Sequence, residues 1–221
     1  MAVCYNLTMG SKDVYSSRSL PVTVRDMKIT AYIAFHDDLR QKPDRSDKTY
    51  AGIVLEGIRK YWSEPGFDVE LIECGLKDKR PHVNVLPAKL TGTSYVMSRW
   101  WRWGWGPLRC AMHPESFMLN WSLKNPGNIH MNLRVFRSES SFMRIAAHEF
   151  GHVLGLGDAY AAHYRYFYEA PGTRNYMMNR NERVSEEEVA MVLKAHSTGK
   201  MQYFPMKFSL KRYINGFKKS R

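Results

Sequence analysis

The chain has 221 residues, 44% of them hydrophobic and 24% charged, with a formal charge of +12. That balance suits a chain that buries a core, as one generous domain or one domain in two lobes around a cleft, and it excludes global disorder. No run approaches the roughly 18 apolar residues of a membrane-crossing helix, and MAVCYNLTMGSKDVYSSRSL lacks the basic start and apolar block of a secretory signal, so a cytoplasmic protein or one exported without a leader is expected.

The first 28 residues show little periodicity and read as an irregular extension. ITAYIAF (29–35) is rich in β-branched and aromatic residues and predicts a strand. A polar loop with Pro43 follows. Tyr50, Ile53, Val54, Ile58, Tyr61 and Trp62 then recur at helical spacing, which predicts an amphipathic helix over 49–62 that ends before Pro65-Gly66. FDVELIEC (67–74) and HVNVL (82–86) predict two more strands, so a mixed sheet with a helix packed on it is expected. NIHMNLRVF (128–136) alternates apolar and wetter positions and predicts a further strand. Residues 87–127 give no clear assignment. Within them, SRWWRWGWGP (98–107) gathers Trp100, Trp101, Trp103 and Trp105, either as a binding or membrane-interface surface or as a self-packed loop over one end of the sheet.

The segment SFMRIAAHEFGHVLGLGD (141–158) carries chemistry. On a helix, with about 100° per residue, His152 falls near 40° from His148 and Glu149 near 100°. Phe142, Met143, Ala146, Phe150, Val153 and Leu154 occupy the sector between about 120° and 240°. One face can therefore press on a sheet while two imidazoles share another, with a carboxylate at its edge. Two neutral imidazoles at that spacing can hold zinc, with the carboxylate beside a water. Gly155 and Gly157 allow the chain to stop and double back. The next donor, Asp158, then becomes the expected third ligand, and His163 is a rival for that place. His36, His82, His113, His130 and His196 are expected at the surface or in local hydrogen bonds.

HEFGHVLGLGD resembles the metzincin clan of zinc endopeptidases, whose extended motif is HExxHxxGxxH or HExxHxxGxxD. The Asp form is similar to the snapalysin-type branch, and the remainder to matrixins. Tyr176-Met177-Met178-Asn179 resembles the Met-turn of that clan and places Met178 at the family's methionine, an apolar floor under the ligand histidines. The resemblance implies an α+β fold: a mixed twisted sheet with two main helices in an upper lobe, the second being the active-site helix, and a small lower lobe with the Met-turn and a C-terminal helix. It covers about 29–199, divided near 155, and leaves 1–28 as an extension and 200–221 as a basic tail. It further implies one catalytic Zn2+ on His148, His152 and Asp158, Glu149 as general base, a monomer, and a peptide or protein substrate extended along a sheet edge. Tyr176 is a candidate donor to the oxyanion. Cys4 is a candidate inhibitory thiolate, although its surroundings do not match the family's switch motif.

RVSEEEVAMVLKAHSTGK (183–200) predicts the last helix. Ser185 and Glu188 form a capping box, Val184 and Val189 sit where a hydrophobic staple belongs, and Gly199 is the stop. Glu188 is the last acidic residue, and eight basic ones follow it; without them the chain holds 25 Lys and Arg against 21 Asp and Glu. Such an end can hold nucleic acid, an anionic membrane surface or an acidic partner, or it is a solvated tail. Three cysteines, Cys4, Cys74 and Cys110, make no disulfide framework. Two rivals stand beside the peptidase reading. One is another zinc peptidase clan with Glu169 or Glu182 as ligand. The other is a metzincin-fold binding protein without turnover, which uses the tail and the Trp-rich loop on anionic surfaces.

Overall fold

The computed structural model describes residues 20–88, 94–97, 121–160 and 169–205. The Trp-rich segment 98–107, His163, His113, Cys4, Cys110 and the tail from 206 lie outside the described residues. The fold is mixed α+β. Six strands form one sheet: β1 (Val22–Arg25), β2 (Lys28–Phe35), β3 (Asp68–Cys74), β4 (Val83–Pro87), β5 (Tyr95–Met97) and β6 (Asn128–Met131). The β2 strand pairs β3 in parallel along one edge; its other edge takes β1 antiparallel and then β4 parallel. Beyond β4 come β6, parallel, and β5, antiparallel, so β5 lies at the end of the sheet.

Between β2 and β3 runs α1 (Tyr50–Ser63), the crossover that parallel neighbours require. Thr49 caps it, its side chain accepting from Gly52 N–H. A second long helix, α2 (Glu139–Val153), is capped by Ser138. Both helices lie on the sheet face that presents Ile29, Ala31, Ile33, Val83, Val85, Ile129 and Met131, all fully buried. They pack closely: Trp62 Nε1 donates to Ala147 O at 3.0 Å, and Gly57 lies against the Met143 backbone, where a side chain would not fit. After α2 come a one-turn helix, α3 (Met177–Arg180), and α4 (Glu186–Thr198). The Ser185–Glu188 capping box forms, and Gly199 ends α4 in the left-handed region at φ 66°.

Three features depart from the sequence expectation. Residues 20–25 are not an irregular extension: Leu20 and Val22 are buried, and β1 joins β2 through Asp26 and Met27, both at positive φ. The strand expected over 128–136 stops at Met131, because Asn132 accepts from Arg134 N–H and starts a 3-10 turn, Leu133–Val135. The basic tail does not begin free at 200, since Phe204 is buried and Gln202 bridges to Leu156.

Candidate metal centre

The two candidate imidazoles sit on the last turns of α2, facing each other nearly edge to face at 5.0 Å between ring centroids. Both are buried, and each is held by a carbonyl. His148 Nδ1 lies 2.8 Å from Met177 O, and His152 Nδ1 lies 2.8 Å from Leu156 O. A carbonyl can only accept, so each Nδ1 carries a proton, and a ring in its neutral form would present a bare Nε2. The α2 helix ends at Leu154, and Gly155, at φ 95°, turns the chain back. A side chain at Gly155 would strike the Trp121 ring and Ala195, so the turn needs glycine for space as well as for φ. The returning chain brings Asp158 Oδ1 to 3.2 Å from His148 Nε2 and 3.5 Å from His152 Nε2. Those approaches are charge contacts without hydrogen-bond alignment, for Oδ1 is enclosed and makes no hydrogen bond among the described residues.

This donor set could hold a metal ion. A tetrahedral ion with legs of about 2.0–2.1 Å needs donors roughly 3.3 Å apart, and two of the three separations, those from Asp158 Oδ1, are 3.2 and 3.5 Å. All three donor atoms lie within 4.8 Å of one another. No other group of three such side chains converges among the described residues. Glu149 is buried beside them, and its Oε2 has no hydrogen-bond partner there. Without an ion the four groups perturb one another. Burial pulls His148 down, but the Asp158 carboxylate at its Nε2 more than offsets this, and its pKa is pushed up to about 9. Burial lowers His152. Burial pushes Glu149 up to about 8; the charge of His148 opposes this, and that of Asp158 adds to it. Asp158 is held below the usual carboxylate range: burial would raise it, but His152, His148 and Tyr160 outweigh that.

Met177 and Met178 are fully buried. The sulfur of Met178 presses on Gly151, between the two histidines in sequence, and Met177 supplies the carbonyl that orients His148. The short segment is fixed in turn by Glu188, which accepts from Met178 N–H at 2.7 Å and Met177 N–H at 3.4 Å. Tyr176 does not face the cluster: its hydroxyl donates to Glu187 Oε2 at 3.0 Å, on the first turn of α4. Among the described residues a tyrosine beside the cluster is Tyr160, whose ring lies near parallel to His148 at 6.4 Å. The sequence carried no signal for it beyond its place two residues after Asp158. Glu169, a rival ligand, is paired with Arg180 at 2.6 Å, and Glu182 is exposed.

The other described histidines are engaged elsewhere. His36 accepts from Asp38 N–H, and His82 bonds Arg80 O and Asn84. His130 stacks on Tyr95 at 4.6 Å. His196 is half-buried: its ring meets Trp121 edge-on, and its Nε2 is enclosed without a partner among the described residues. Comparison of the chain with protein-family profiles, with curated proteins and with solved structures yields no match.

Proposed function

We propose that the protein is a zinc-dependent endopeptidase of metzincin type. One observation carries this reading. Two imidazoles, each with Nδ1 committed to a carbonyl, turn their free Nε2 atoms toward one carboxylate oxygen at the spacing a tetrahedral ion requires. His148, His152 and Asp158 would hold the zinc. A zinc ion there supplies Lewis acidity, which makes a water more acidic and a scissile carbonyl more electrophilic.

The chain's own residues do the rest. Glu149 has an enclosed oxygen with no other partner among the described residues, so it is free to take a proton from the attacking water and return it to the departing amine. Its carboxylate must be ionised to act as the base. Burial alone opposes that, and a divalent cation alongside favours it. Substrate lies extended along β5, which pairs only β6 among the described strands and leaves its other edge for a peptide backbone. Support for the two-lobed metzincin arrangement comes from the mixed sheet with two helices on one face, followed by a short segment that sets Met178 against the histidine helix.

The test is metal analysis joined to mass-spectrometric mapping of cuts in a proteome-derived peptide library. The expected result is zinc at one per chain and cleavage that falls at least ~100-fold in Glu149→Gln while the zinc stays. Zinc with no cut in any peptide would favour a binding protein without turnover. Absence of zinc from protein with intact His148, His152 and Asp158 would refute the metal centre itself.

A further inference from the structure

After α4 the chain returns to the metal-site turn. Gln202 lies beside Leu156 as a parallel bridge. Its N–H donates to Gly155 O and its carbonyl accepts from Gly157 N–H, both at 2.8 Å. These two bonds straddle Leu156, whose own carbonyl holds His152 Nδ1. The residue after Gly157 is Asp158. Tyr203 lays its ring on Gly157, where an added Cβ would meet ring carbons at 2.6 and 3.1 Å. Phe204 is buried and faces Tyr176 at 6.1 Å, which anchors the far end of the segment.

We propose that residues 200–204 are a positioning strap for the metal centre, acting through the main chain of Gln202. This rests on the zinc reading above. The turn at 155–157 contains two glycines and would be loose if left alone. On the helix side its main-chain bonds are Gly155 N–H to His152 O and Leu156 N–H to Gly151 O, each at 3.0 Å, beside the His152 side chain on Leu156 O. Among the described residues, Gly155 O and Gly157 N–H find their main-chain partners in the strap. A carbonyl orients a ligand histidine only if it is itself fixed, and the strap fixes the Leu156 carbonyl from both sides. The same two bonds set the direction in which the chain enters Asp158. The second and third ligands thus depend on a segment more than forty residues downstream, beyond the last helix.

The test is zinc titration of full-length metal-free protein against a competing chelator, with urea unfolding of the same metal-free samples. Gln202→Pro removes the N–H that bonds Gly155 O and should weaken zinc binding at least about tenfold. Gln202→Ala keeps both main-chain bonds and should retain the affinity that the proline variant loses. Gly157→Ala drives a methyl into the Tyr203 ring and should also weaken zinc. Adding Tyr203→Ala clears that clash and should restore most of the loss. The glycine pair decides the matter if Gln202→Pro does not fold. A zinc affinity within about twofold of wild type in Gly157→Ala, or in a folded Gln202→Pro, would overturn the strap. So would equal losses in the proline and alanine variants at Gln202. If the wild-type protein takes up no zinc, the metal centre fails and the strap's role with it; tight zinc in both wild type and variants rejects the strap alone.

Discussion

Glu188 joins the last helix to the segment beneath the histidines, and its removal should damage both the fold and the proposed metal centre. Its side chain is fully buried. One oxygen accepts from Met178 N–H at 2.7 Å, the other from Ser185 N–H at 2.7 Å and Ser185 Oγ at 3.0 Å. The serine hydroxyl can rotate to a new acceptor, so Glu188→Ala strands two close amides, at about 1–3 kcal/mol each, and removes one buried methylene at about 0.8 kcal/mol. Relief opposes this. Burial raises the Glu188 pKa despite those bonds, so deleting the carboxylate also removes a desolvated charge. The expected net loss is about 3 kcal/mol for alanine. Glutamine keeps the shape and can still accept on the Ser185 side, but it turns an NH2 toward the Met178 amide, and about 1–2 kcal/mol is expected. The assay is urea unfolding of metal-free protein followed by circular dichroism and tryptophan fluorescence. Zinc affinity should fall about tenfold in the alanine variant, because Met177 O orients His148. A loss under about 1 kcal/mol for alanine, or equal losses for the two variants, would show that the carboxylate is not the anchor.

Further outcomes concern packing and pH. The pKa of His196 falls from 6.5 to about 4 because it is buried, although a bond to the Leu154 carbonyl pulls the other way. Below 6.5 the unfolded chain takes up a proton that the folded chain refuses, so this contribution is complete above 6.5 and is lost as pH drops toward 4, about 3 kcal/mol in all. His196→Gln should flatten that limb of the stability–pH curve; a curve with unchanged slope would show that another group causes it. Gly57→Ala would set a methyl 2.5–2.9 Å from the Met143 backbone, and the overlap should outweigh the gain in helix propensity for a net loss of about 1–3 kcal/mol. A melting temperature equal to wild type would mean that the two helices separate at little cost.

Residue spacing alone determined the elements whose signal is local. The apolar period from Tyr50 to Trp62 gave α1 to within a residue, and the β-branched runs gave β2, β3 and β4. The Ser185–Glu188 box and Gly199 gave both ends of α4. The four-residue step from His148 to His152 put two imidazoles on one face, and Gly155 marked the turn. Other features arise between segments far apart in the chain. The β1 hairpin turns on Asp26 and Met27 at positive φ, with no glycine to announce it. The carbonyls that set the two imidazoles come from Met177 and Leu156. Tyr160 lies beside His148, whereas the Tyr176 hydroxyl goes to Glu187. Gln202 bonds the turn at 155–157 through its main chain, which any residue except proline could do, so no side-chain pattern encodes it. Periodicity and capping are written in neighbouring residues because they follow from the geometry of one helix or strand. Which backbone group meets which imidazole is decided only when the sheet, the helix pair and the chain end pack together.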